Sequence, residues 1–267
     1  MKGTKHQFLY KFLCGALGIL LGCHFSLPGL YAATDTTPYN WYCKNNHTHT
    51  IPVLDSDQTW IGEYDAYYVN HKVKKGDKVI YLTFDAGYEN GNVEKILDAL
   101  KKHQAQGAFF ILDNLIQRNP ELVKRMEAEG HLVCNHTMRH PDMTKISDRK
   151  TFAQQLTSLA EHYKELTGKE MPQIYRPPEG RYSKQNLEYA KSMGYKTVFW
   201  SFAYADWDNN RQMSPEDAMN KILAHTHNGE IMLLHPTSAT NAAIMDSLLT
   251  KLQEEGYRFG SLTELWD

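Results

Sequence analysis

Val79-Ile80-Tyr81-Leu82-Thr83-Phe84-Asp85-Ala86-Gly87 is the stretch that decides the fold. Six β-branched, aliphatic or aromatic residues run together and stop at Asp-Ala-Gly. A short β-rich run of that composition, closed by turn residues, predicts a strand over 79–84. Downstream the period changes to a helical one over 92–103, and then back. Further strands are expected at 108–111, 132–135, 174–176, 197–202, 231–235 and 257–259. Helical stretches lie near 120–129, 147–167, 183–193, 214–226 and 241–255. Pro120 and Pro215 suit a first helical position, Ser214 with Asp217 makes a capping box, and Gly130, Gly168, Gly194 and Gly256 stand where helices should stop. Strand-then-helix alternation predicts an α/β fold with about seven parallel strands and right-handed crossovers. Periodicity alone leaves an open doubly wound sheet and a barrel both available.

Upstream of that core, residues 34–77 carry Pro, Asn, Asp and Thr without a sustained period. They read as an irregular N-terminal arm, with Trp41, Tyr42, Trp60, Tyr64, Tyr67 and Tyr68 as aromatic anchors. Residues 1–33 read as a signal peptide: Lys2 and Lys5, an interrupted apolar stretch from Phe8 to Leu21, then Pro28, Gly29 and the small pair Ala32 and Ala33. Export to the cell envelope is expected. An uncleaved membrane anchor is the alternative, and Leu20-Leu21-Gly22-Cys23 loosely resembles a lipoprotein processing site. Removing this segment leaves two of the 4 cysteines, Cys43 and Cys134, which cannot form a disulfide scaffold or a zinc ribbon. One bridge between them is conceivable; Cys134 as a buried strand residue is the simpler expectation.

The 267 residues are 42% hydrophobic and 22% charged, which excludes disordered and collagen-like classes. Lys plus Arg number 29 against 31 Asp plus Glu, so no global positive field recommends nucleic acid. No internal repeat or low-complexity tract is present. The composition favours a neutral or small substrate, and no stable protein partner is evident.

The chemistry gathers at the C-terminal ends of the expected strands. Asp85 follows Phe84, His136 follows Asn135, Arg176 follows Tyr175, Asp206 lies just beyond Phe202, and His235 follows Leu234. In parallel α/β folds those ends share one face, so distant residues converge there. Singly each signal is weak. With 13 His in the chain, the His136/His140 spacing barely exceeds chance. His235 alone would be a core histidine, and Asp206-Trp207 a turn.

Together they fill distinct roles in hydrolysis of a neutral acyl group. Two imidazoles can hold a divalent cation that acidifies water. Asp85 can accept the water's proton, with Arg176 keeping it ionised. His235, its pKa raised by Asp206, can protonate the leaving atom. No G-x-S-x-G elbow, Walker loop or H-E-x-x-H competes.

In their order, Thr83-Phe84-Asp85-Ala86-Gly87, His136-Thr137-Met138-Arg139-His140, Arg176-Pro177-Pro178-Glu179-Gly180, Asp206-Trp207 and Leu233-Leu234-His235 resemble the five motifs of the polysaccharide deacetylase (NodB homology) family. The resemblance covers about residues 78–265. It implies a distorted, incomplete (β/α) barrel and removal of an acetyl group from a sugar with a divalent metal. By this likeness Asp85 is the base, His136 and His140 are metal ligands, Arg176 is the partner of the base, Asp206 tunes the acid, and His235 is the acid.

Two positions depart from the family pattern. Ala86 stands where a second Asp completes the metal site, so a metal, with zinc the candidate, is expected to bind weakly. Glu89 is near in sequence, without a definite place. Glu179 stands where an aromatic residue is common; its backbone N–H still suits an oxyanion. These departures, with Arg181 and Tyr42-Cys43-Lys44, resemble the delta-lactam-biosynthetic de-N-acetylases of the spore cortex. That likeness implies N-acetylmuramic acid in peptidoglycan without stem peptide as substrate, and muramic-δ-lactam, needed in sporulation and germination, as the eventual product. Arg139 or Arg181 is expected to meet the lactyl carboxylate. Glu179 and Trp207 are the other substrate-binding candidates. The alternatives are a chitin-type or N-acetylglucosamine peptidoglycan deacetylase, an acetyl-xylan esterase, and an inactive glycan-binding protein.

Overall fold

The computed structural model describes residues 35–267; the signal-peptide reading of 1–33 falls outside them. In chain order the strands are β1 (Tyr39–Asn40), β2 (Ala66–Tyr67), β3 (Val79–Ala86), β4 (Gly107–Ile111), β5 (Leu132–Asn135), β6 (Ile174–Tyr175), β7 (Arg181–Tyr182), β8 (Lys196–Val198), β9 (Glu230–Leu234) and β10 (Arg258–Phe259). The helices are α1 (Val93–Lys102), α2 (Asp113–Arg118), α3 (Pro120–Ala128), α4 (Arg149–Thr167), α5 (Lys184–Ser192), α6 (Pro215–His225) and α7 (Ala239–Glu254).

All seven expected strands are present, in one parallel sheet ordered β10-β3-β4-β5-β6-β8-β2, with β9 paired along Ile80 to Phe84 of β3. The sheet curls until its far side reaches β9. Ser201 N–H donates to Ile231 O at 3.0 Å and Leu233 N–H to Phe202 O at 2.9 Å, so Phe202 bridges to Met232. The result is a distorted, incomplete barrel. The strand expected over 197–202 stops early: the Trp200 carbonyl leaves the ladder to accept from the Trp41 indole at 2.8 Å.

The arm is irregular over most of its length, and two short pairings tie it to the barrel. β1 pairs antiparallel with β7, and β2 adds an eighth parallel strand on β8. Trp41 lies stacked on Phe199 with ring centroids 4.4 Å apart. Tyr42 is no anchor: it is 61% exposed, because its buried neighbours Trp41 and Cys43 turn it outward. The short helix α2 had no periodic signal in six residues. Cys43 and Cys134 are both buried and unbridged.

At the start of β9 the barrel holds a buried carboxyl. Glu230 is fully buried; one oxygen accepts from His227 N–H at 2.9 Å and the other has no partner among the described residues. Burial pushes its pKa from 4.5 up to about 8. Below pH 4.5 neither folded nor unfolded chain ionises here. Between 4.5 and 8 the unfolded chain loses the proton first, so this group makes stability fall as pH rises, by about 1.4 kcal/mol per pH unit at most. Glu230→Gln has no proton to lose. Thermal unfolding is expected to show its advantage over the native chain growing from pH 5 to pH 8; an advantage that stays constant would refute a protonated Glu230.

Candidate active site

Strand alternation aims the site. Val79 and Tyr81 cluster with Ala108, Phe110, Cys134, Ile174, Val198 and Ile231 inside the barrel. Ile80, Leu82, Phe84 and Ala86 cluster with helical residues such as Ile96 and Leu248 outside it. Successive side chains alternate between faces. Counting by two from the interior residues reaches Asp85 from Tyr81, His136 from Cys134, Arg176 from Ile174 and His235 from Ile231. All four candidates therefore inherit the interior face. Ala86, one position off, packs on the helix side.

Arg176 is fully buried at the end of β6. Its Nη1 donates to Asp85 Oδ1 at 2.8 Å, Nη2 to Thr83 Oγ1 at 2.9 Å and Phe199 O at 3.1 Å, and Nε to Val198 O at 3.0 Å. The guanidinium carbon lies 4.1 Å from the Phe110 ring centroid. Four polar partners in fixed directions hold the fork in place. Burial alone would push the Asp85 pKa up; the charge of Arg176, with smaller contributions from His136 and His235, outweighs it and holds Asp85 below the usual carboxylate range.

His136 donates from Nδ1 to the Arg176 carbonyl at 2.9 Å, since that oxygen can only accept. Burial holds its pKa down at about 4, so the ring is neutral and Nε2 carries a lone pair. That lone pair lies 3.5 Å from Asp85 Oδ2. Two acceptors facing each other fit a cation, and the His140 ring stands 5.0 Å from that of His136. Among the described residues, however, no three His, Cys, Asp or Glu side chains gather as a metal cage. The donor set fits a divalent ion, one ligand short. Glu89 does not make up the difference: its carboxylate accepts from Gly91 and Val93 N–H at the start of α1. Thr137 and His140 have φ of 74° and 57°, unusual for residues other than Gly, and worst for a β-branched one. The Thr137 hydroxyl accepts from His140 N–H at 3.0 Å, which supports the turn.

Across the cavity, Asp206 is almost fully buried and takes three bonds. Its Oδ1 accepts from His235 Nδ1 at 2.7 Å; its Oδ2 accepts from His235 N–H at 2.7 Å and Asn241 Nδ2 at 2.6 Å. The Tyr204 hydroxyl donates to the Asn241 carbonyl oxygen. Burial lowers the His235 pKa, but the Asp206 charge and hydrogen bond overcome it, and the net shift is upward. With Nδ1 engaged, Nε2 is the nitrogen left for a substrate.

Asp85, His140, Glu179, Gly180, Trp200, Ala203, Tyr204, Trp207, Leu233 and His235 line one cavity of about 580 Å³. Glu179 has φ 56°, and Gly180 and Arg181 donate to the Pro177 and Pro178 carbonyls in the same turn. Neither expected cation is among these lining residues. Arg139 is exposed and lines no part of this cavity. Arg181 turns to Asp142, with Nη1 at 3.0 Å from its carboxylate. Sequence reasoning also missed Asn241 and Tyr204. Asn241 had a signal: it is a polar residue on the α7 stripe that buries Ile244, Met245 and Leu248.

Residues 72–198 match the profile of the family described as Polysaccharide deacetylase. The chain is 40% identical over 235 residues to the peptidoglycan-N-acetylmuramic acid deacetylase PdaA of Bacillus subtilis, covering 87% of this chain and 88% of that one. It is 34% identical over 203 residues to a peptidoglycan-N-acetylglucosamine deacetylase of Bacillus cereus, covering 74% and 92%. The solved structure of Bacillus subtilis PdaA, a family 4 carbohydrate esterase, superposes with a TM-score of 0.81 at 39% identity, covering 86% of this chain and 97% of that one.

Proposed function

We propose, starting from the fact that this chain belongs to the polysaccharide deacetylase family, that it removes the N-acetyl group from N-acetylmuramic acid in peptidoglycan lacking stem peptide. The observation that carries the reading is that Asp85 and His235, held in opposite charge states, line one cavity. Asp85 Oδ1 is committed to Arg176, which leaves Oδ2 to take a proton from water as the water oxygen adds to the acetyl carbon. The Glu179 N–H is a donor for the oxyanion. His235 Nε2 gives its proton to the departing nitrogen, the C–N bond breaks, and acetate leaves a free amine. His136 and His140 would hold a divalent ion, zinc the candidate; bound, it supplies Lewis acidity to water and the acetyl oxygen. Trp207 and Glu179, both exposed along the cavity, would contact the glycan. The freed amine can close on the lactyl carboxylate to give muramic-δ-lactam, which places the protein in the envelope or spore cortex of a sporulating cell after export.

A second reading, deacetylation of N-acetylglucosamine, is favoured by one observation. No Lys or Arg is among the cavity's lining residues, so the lactyl carboxylate finds no cation there. Mass spectrometry of digested glycan, stem-peptide-free and intact, after treatment with the protein decides between them. Loss of 42 mass units (the net change C2H2O, about 42 by composition) on muramic residues of the stripped glycan is the expected result, reduced by His140→Ala and by chelators at least tenfold. Loss on glucosamine residues would establish the second reading.

A further inference from the structure

We propose that the N-terminal arm builds a second sugar subsite, continuous with the active-site cavity, which takes the neutral N-acetylhexosamine next to the residue being deacetylated. The proposal rests on the glycan-deacetylase reading above and extends it along the strand. A hollow of about 240 Å³ is lined by Trp41, Tyr42, Cys43 and Asn45 from the arm together with Trp200, Ala203, Tyr204, Ala205 and Trp207. Four of these, Trp200, Ala203, Tyr204 and Trp207, also line the active-site cavity, so the two spaces adjoin.

Three features point to a sugar as occupant. First, Tyr42 is 61% and Trp207 63% exposed, two of only four large apolar side chains exposed among the described residues. Both belong to this one hollow, and such exposure in one place marks a binding surface. A pyranose ring presents an apolar face of C–H bonds and a rim of hydroxyls, which suits flat aromatic walls with polar tips. Second, none of the nine lining residues carries a charge, and Asn45 offers an amide. That chemistry matches a neutral acetamido sugar and disfavours a lactyl or peptide carboxylate. Third, the arm is fixed before any ligand arrives. Trp41 N–H donates to Gly180 O and its indole to Trp200 O, both at 2.8 Å, and Cys43 Sγ lies 3.5 Å from the same Trp200 oxygen. Tyr42 stands between two anchored residues, so little ordering is needed on binding. Gly180, at φ 65°, lets this contact form: a Cβ there would lie 2.7 Å from Trp200 Cη2 and 3.0 Å from Trp41 Cβ.

The test uses the whole chain and peptide-free glycan fragments from a single N-acetylmuramic acid residue to a hexasaccharide. Binding is read by calorimetry on Asp85→Asn, and kcat and KM by acetate release from the chain with Asp85 intact. With the subsite present, affinity climbs from the shortest fragment to the next and then levels. Tyr42→Ala is expected to raise KM on the longer fragments about tenfold, more than it lowers kcat, consistent with loss of one aromatic contact. Tyr42→Phe should restore it and Asn45→Ala should act in the same direction. Equal effects of Tyr42→Ala on every fragment length, or none on any, overturn the subsite. Length-dependent binding without acetate release would refute the deacetylase reading and leave the subsite standing; acetate release with no Tyr42 dependence does the reverse.

Discussion

Replacing Asp85 by Asn is expected to lower kcat roughly 10²–10⁴-fold, the range in which a positioned general base acts. The side chain keeps its shape, and its carbonyl oxygen can still accept from Arg176 Nη1, so the loss is one of basicity. Stability should fall as well, because Arg176 is fully buried and would face a neutral partner. Removing one member of a buried ion pair costs about 3–5 kcal/mol when nothing replaces it, and the retained hydrogen bond should keep the cost below that. Acetate release and thermal unfolding, measured on the same preparation, separate the two effects. Activity within tenfold of the native enzyme, in a folded variant, would remove Asp85 from the role of base.

The second large effect belongs to Asp206→Asn and is visible in the pH profile. A proton donor works only below its own pKa. His235 is raised above its ordinary 6.5 because Asp206 offsets the cost of burial, so activity of the native enzyme should fall on the alkaline side only above that value. On the acid side it should persist down to the depressed pKa of Asp85. Without the Asp206 charge and hydrogen bond, burial is opposed only by the more weakly acting Asp85 charge, and the His235 pKa falls. The alkaline limb then moves to lower pH by about 1–2 units, and activity near pH 8 drops roughly 10- to 100-fold while that near pH 5.5 is less affected. A merely structural role for Asp206 would lower activity evenly across the range.

Much of this arrangement was legible before any fold was known. The β-rich run ending at Asp85 predicted a strand, which the structure buries on both sides. The same grammar recurs at Ile174-Tyr175-Arg176 and at Ile231 through His235. A strand has period two, so once the structure places one interior residue every second one follows, Asp85, Arg176 and His235 among them. Helix ends were legible for a similar local reason. Gly168 terminates α4 with φ 73°, a conformation open to Gly without strain.

What was not legible depends on where loops travel. Arg139 and Arg181 stand inside site motifs, yet one is exposed and the other pairs with Asp142, because the residues between strands follow no period that fixes their direction. Tyr42 looked like one more aromatic anchor among six; two buried neighbours turned it outward. Asn241 supports Asp206 from 35 positions away, a contact that exists only once α7 packs beside β9.

The sequence by itself therefore determined the strands and the gathering of Asp85, His136, Arg176 and His235 at their C-terminal ends. Those are consequences of local composition, β-rich runs closed by turn residues. Only the tertiary structure decided which cations stay outside the cavity, how Asp206 is held, and that the arm lines a hollow adjoining the active-site cavity. Such pairings join segments whose separation along the chain carries no local signal, and closure of the barrel is what brings them within hydrogen-bonding reach.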